Sequence, residues 1–155
     1  MNVFLKFCAG AAAAFAIPAA AAAQPSCTGP EGPVRLFVNV ENLRSSNGLV
    51  AVTLYADDSR RFLARRGSLY VGRATARAGT TRLCIHLPST GVWALAVYHD
   101  EDGNRRFNRS GVGMPAEGFG FSNNPGTLFG VPSFRSVRMA VPRDRMQTTV
   151  RLRYP

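Results

Sequence analysis

The chain has 155 residues, a formal charge of +10 at pH 7 and a hydrophobic fraction of 46%. That length is one domain's worth of chain once a leader is removed. Its bases are almost all arginines, spread along the chain with no nucleic-acid motif, so neither composition nor motif points to a nucleic-acid partner.

In chain order, residues 1–23 come first. One basic residue, Lys6, precedes a long apolar and small-residue run that ends in an Ala-x-Ala pattern at Ala21 and Ala23. This is the plan of a secretory signal peptide cleaved after Ala23; Pro18 and the small-residue end argue against a membrane anchor. Residues 24–33 are then expected to be an N-terminal tail and residues 34–155 a single domain. No later stretch is long and apolar enough to predict a transmembrane helix. These readings together predict export, to the periplasm or outside the cell, as a monomer. Cys27 and Cys84 are left as an even pair, which predicts one disulfide in an oxidising compartment.

From Val34 onward apolar residues alternate with polar ones. Val34, Leu36, Val38 and Val40 share one face of a first strand. Asn47-Gly48 reads as a hairpin signal, because both residues tolerate positive φ. Val50, Val52 and Leu54 form the inner face of a second strand. Residues 57–66, DDSRRFLARR, predict a short helix capped by Asp57 or Asp58 and ended by Gly67. SLYVGRATAR returns to strand. GTTRLCIHLP puts Leu83, Ile85 and Leu87 on one face, with Cys84 and His86 on the other. GVWALAVYHD is apolar on both faces, as a central strand is. SVRMAVP and TTVRLRY supply two more strands. The fold class expected is all-β: an antiparallel β-sandwich of immunoglobulin or transthyretin-like type, with about seven strands, one short helix and one long loop. A small closed barrel is the alternative.

The long loop runs from Asp100 to Pro132, where alternation gives way to Gly, Asn, Pro and Phe. Loops of that length in a compact domain are commonly functional or structured on themselves. YHDEDGNRRFNR at its start and GMPAEGFGFSNNPG at residues 113–126 resemble a family of small exported bacterial proteins, domain of unknown function 2141. The resemblance spans residues 33–153 and implies an exported β-sandwich. Family loops read His-Asp-x-Asn-Gly-Asn-x-x-x-Asp; here Asn108 stands where the closing Asp is usual, and Arg105 and Arg106 fill the gap.

The loop offers Asp100, Asp102, Asn104 and Asn108 as a set of oxygens around Gly103, the pattern of a calcium loop. Residue 111, where a bidentate Glu would close such a loop, is Gly, so Glu117 would have to fold back. Arg105, Arg106 and Arg109 add positive charge, and the arginines are expected to pair with Asp100 and Asp102 in place of an ion. The expectation is therefore a polar turn that keeps the path of a cation loop, with calcium binding weak or absent and no other cofactor. His86 and His99 have no zinc spacing. No serine lies in a nucleophile elbow. A hydrolase could draw only on His99, Asp100 and Glu117, and no catalytic residue is assigned. The preferred reading is a binding or interaction module of the cell envelope. Its candidate residues are His99, Asp100, Asp102, Asn104, Asn108, Glu117, Phe121, Ser122, Asn123 and Asn124, and its partner an envelope polymer, sugar or peptide. A purely structural envelope protein is the third possibility. Phe119, Phe121 and Phe129 are expected to plug an open end of the sandwich.

Overall fold

The computed structural model describes residues 25–127 and 130–155. The segment read as a signal peptide and Phe129 lie outside the described residues. Two sheets form an all-β sandwich. In chain order the strands are β1 (Cys27–Thr28), β2 (Val34–Leu43), β3 (Leu49–Ala56), β4 (Tyr70–Thr75), β5 (Gly79–Leu87), β6 (Gly91–Asp100), β7 (Phe119–Phe121), β8 (Met139–Val141) and β9 (Met146–Arg151), with α1 (Phe134–Val137) before β8. One sheet runs β1-β5-β2-β9; the other runs β4-β3-β6-β7, with β8 also on β6.

The alternation maps onto this directly. Val34, Leu36, Val38 and Val40 from β2 meet Val50, Val52 and Leu54 from β3, with Leu83, Ile85 and Leu87 from β5 and Trp93, Leu95 and Val97 from β6, all buried between the sheets. Strand β6 is central, with β3 on one side and β7 and β8 on the other. Its second face is largely covered as well, which is why its sequence is apolar on both faces. A smaller core of Tyr55, Ala94, Phe121 and Val137, with Phe62 and Phe134 packed on it, covers that outer face.

Several local expectations are corrected. Residues 57–66 form a series of turns, not a helix. Asp58 does start one turn: its backbone oxygen accepts the Arg61 and Phe62 amides, and its Oδ1 accepts the Arg60 amide. Leu63 and Arg66 then take positive φ of 57° and 59°, which ends any helix. Among the described residues the short helix is α1, whose last two residues overlap the start of SVRMAVP, expected to be strand; Phe134 and Val137 both pack on the outer core. Asn47-Gly48 does not make a hairpin, since β2 and β3 lie in different sheets. It is an arch that crosses the sandwich. Gly48 sits at φ +66°, and a Cβ there would lie 1.9 Å from the Asp100 carbonyl oxygen, so the arch is pressed against the end of β6. The sheets are not wholly antiparallel: β1 runs parallel to β5, and β9 parallel to β2. The expected disulfide is present, joining Cys27 to its register partner Cys84. Cys84 is buried, not on a solvent face, because β1 lies over that edge.

Strand β2 is also held at its start. Asp144, in the turn before β9, accepts the backbone amide of Arg35 at 2.8 Å and pairs with its guanidinium. That guanidinium holds the Asp144 carboxyl well below the ordinary carboxylate range. A depressed carboxylate contributes stability above its unfolded-state value, near 4, and the contribution is lost as pH falls below it. Asp144→Asn is therefore expected to lower the unfolding midpoint at pH 7, with the gap to the parent narrowing below about pH 4. Thermal melts across that range check this; a gap that ignores pH would assign the effect to something other than the ion pair.

Candidate functional site

Strand β6 ends in His99 and Asp100, both fully buried, and as neighbours on a strand they point to opposite faces. His99 lies toward the inter-sheet side. Its Nε2 faces the Asn47 backbone oxygen at 2.8 Å and so carries a hydrogen; its Nδ1 meets the Tyr154 hydroxyl at 2.7 Å. Both ring nitrogens are used to tie the crossing arch and the C-terminus to β6. The grouping of His99 with Asp100 and Glu117 that a hydrolase would need is not assembled.

Asp100 faces outward, beneath the chain that leaves β6. Its Oδ2 accepts the Arg105 amide at 2.8 Å, while its Oδ1 is buried with no hydrogen bond. Asp102 forms an Asx turn: Oδ1 accepts the Asn104 amide at 3.1 Å. Glu117 does fold back. It is 4% exposed, and its Oε2 accepts the Asn108 amide at 2.9 Å. Single carboxylate oxygens of Asp100, Asp102 and Glu117 all lie within 4.8 Å of one another, close enough that, among the described residues, this group could hold a metal ion. The Asn108 side-chain nitrogen bridges Asp102 Oδ2 at 2.8 Å and Glu117 Oε1 at 3.4 Å. Asn104 Nδ2 also reaches Asp102 Oδ2, at 2.8 Å, and Asn108 Oδ1, at 2.9 Å. Burial pushes the Glu117 carboxyl above the ordinary range, against the Asn108 amide, and the charges of Asp100 and Asp102 push it further up. The Asn104 amide, then Asn108, holds Asp102 below that range.

The expected pairing of arginines with Asp100 and Asp102 is not formed. Arg109 donates to the Gly113 carbonyl at 2.9 Å and lies over the Phe107 ring. Arg105 and Arg106 are exposed, and the ion pairs of the described residues fall elsewhere, on Asp57, Asp58, Asp144, Glu41 and Glu101.

The long segment is not loop throughout. Phe119–Phe121 is strand β7 on β6, so Phe119 and Phe121 belong to a sheet edge and do not plug an end. Met114 is 60% exposed. Ser122 is fully buried; its oxygen accepts the Leu95 amide and donates to the Val137 carbonyl. Asn123 donates to the Ser136 and Arg138 carbonyls. Asn124 donates to Thr149 O and accepts from Arg151 N, replacing a peptide at the free edge of β9. These three side chains are occupied with backbone groups that would otherwise lack partners.

Beside them, an open cleft of about 290 Å³ lies between β7 and β9. Phe119, Phe121, Asn124, Glu41, Arg151 and Arg153 line it. Glu41 and Arg151, register partners on β2 and β9, pair beside it at 3.1 Å, while Arg153 donates to the Thr127 hydroxyl at 3.3 Å. Sequence reasoning missed Glu41, Arg151 and Arg153, which registered only as polar positions of alternating strands. It also missed Phe107, whose ring packs on Tyr98 and Phe119 at centroid distances of 5.6 and 6.0 Å and roofs the loop.

A family model described as "Uncharacterized protein conserved in bacteria (DUF2141)" matches residues 38–150. The chain belongs to that family. The span shared with DUF2141 runs from β2 into β9 and contains the three carboxylates, β7 and most of the cleft wall. No curated protein and no solved structure matches the chain.

Proposed function

We propose that this DUF2141 protein is an exported binding module of the cell envelope, periplasmic or extracellular. Its cleft between β7 and β9 would take an anionic envelope polymer. The observation that carries the reading is the juxtaposition of Phe119 with Arg151 and Arg153 in that open cleft, on a chain of formal charge +10. An aromatic face beside guanidinium forks suits a sugar or peptide chain that bears carboxylates or phosphates. Export is supported by the Cys27–Cys84 disulfide, a bond that persists in oxidising compartments, and by the sequence of residues 1–23. Among the described residues no helix is long and apolar enough to cross a membrane.

Co-sedimentation of the purified protein with isolated anionic envelope polymers tests this. Binding is expected to weaken with salt, and Arg153→Glu to weaken it by about tenfold or more with Tm nearly unchanged, because Arg153 is exposed and its guanidinium is held among the described residues by one hydrogen bond, to half-buried Thr127. Arg60→Glu, on the exposed turn after β3, is the control. Equal losses in the two variants would reduce the effect to overall charge and remove the cleft from the account.

A further inference from the structure

We propose that Asp100, Asp102 and Glu117 hold a divalent cation, and that calcium is the ion they fit. This site stands apart from the β7–β9 cleft and does not depend on what the cleft binds. An acidic cluster alone would carry little. The second observation is Asp100 itself: the residue is fully buried and its Oδ1 has no donor. A buried carboxylate oxygen without a partner is costly to keep in a fold unless something fills its place. Glu117 is 4% exposed beside it, and no ion pair of the described residues touches any of the three carboxylates.

The donor set selects the ion. It is all oxygen, since His99 is turned to the other face of β6 with both nitrogens engaged and the cysteines near β1 are bonded to each other. Carboxylate and amide oxygens suit hard cations, and uneven donors on a loop suit calcium better than magnesium, which demands a near-ideal octahedron. Asn108 supplies the means of accommodation. Its Nδ2 now points at Asp102 and Glu117, and a half-turn of the amide would present Oδ1 to the same place as a fourth ligand. Asp100 ends β6, Asp102 lies in the turn after it, and Glu117 leads into β7. An ion there would therefore pin both ends of the 101–117 excursion to the sheet. Exposed Arg105 and Arg106 oppose the ion only through screened solvent, which weakens the site without closing it.

The test is calorimetric titration of calcium chloride into the purified, chelator-treated protein, with hydrogen exchange of residues 101–117 as a second readout. One ion per chain is expected, with a dissociation constant of about 10⁻⁴ to 10⁻³ M, the range of extracellular calcium modules, and slower exchange in the loop. Asp102→Asn, at the exposed member of the set, should weaken binding by about tenfold or more, and Asn108→Asp, which adds a carboxylate, should tighten it by a similar factor. Asn108→Asp carries the test if Asp102→Asn does not fold. No heat and no change in exchange up to about 10 mM calcium would overturn the proposal. So would calcium binding that neither variant alters, and magnesium binding as tightly would overturn the choice of ion.

Discussion

Phe121→Ala is expected to lower the stability of the protein by about 3–5 kcal/mol, the usual consequence of truncating a buried phenylalanine. The ring is 6% exposed and lies in the outer core with Tyr55, Ala94 and Val137. It also joins a run of aromatic contacts: Tyr55 to Phe62 at 5.2 Å, Phe62 to Phe121 at 6.0 Å, Phe121 to Phe119 at 6.1 Å and Phe119 to Phe107 at 6.0 Å. Aromatic pairs at these distances and tilts contribute beyond the area they bury. The loss has a structural consequence as well, because Phe121 seats β7 on β6 and thereby positions both the cleft and the approach of Glu117. Urea unfolding is the measurement. Met114→Ala, seven residues earlier and exposed, should change stability by no more than about 0.5 kcal/mol. If both variants behaved alike, the ring would have to be free of the outer core.

Replacing both cysteines by alanine should cost about 4 kcal/mol, the loop-closure value for a bond spanning 57 positions. The figure is an upper bound here, because little else fastens the N-terminal tail. Strand β1 has two residues, Thr28 donates to the Cys84 carbonyl at 3.3 Å, and the Gly32 carbonyl meets His86 Nδ1 at 3.2 Å. Without the bond the tail would leave the edge of β5 and expose Cys84 and the backbone groups it now covers. Urea unfolding of the parent with and without reductant, beside the double variant, separates the covalent term from the packing of the two side chains. A double variant as stable as the parent would mean that the tail is held by its few hydrogen bonds alone.

The carboxylate site shows how sequence distance limits what can be read. Asp100, Asp102, Asn104 and Asn108 could be proposed together because they sit within one turn of chain. That Glu117 closes the group depends on the chain doubling back, and the amides of Asn108 and Ala116 record that return: the first bonds Glu117, the second the Asn108 carbonyl. The arginines misled for the same reason. Charge spacing says that Arg105 and Arg106 are near two aspartates, but Arg105 takes φ of 64° and gives Asp100 its amide rather than its guanidinium.

By itself the sequence determined the inner faces of β2, β3 and β5, the burial of β6 on both sides and the pairing of Cys27 with Cys84. Each of these follows from a local property, the two-residue period of a strand or the presence of only two cysteines beyond the segment read as a leader. Tertiary structure decided which sheet each strand joins, that Asn47-Gly48 is an arch, that FGF at 119–121 is a strand, and that Ser122, Asn123 and Asn124 serve the backbone. It also brought Glu41 to Arg151 across 110 positions of chain. A strand has the same alternation whether its neighbour is the next segment or a distant one, and a polar side chain has the same formula whether it meets a ligand or a carbonyl. The choice is made by the long-range hydrogen bonds and buried contacts that form when the two sheets close on each other.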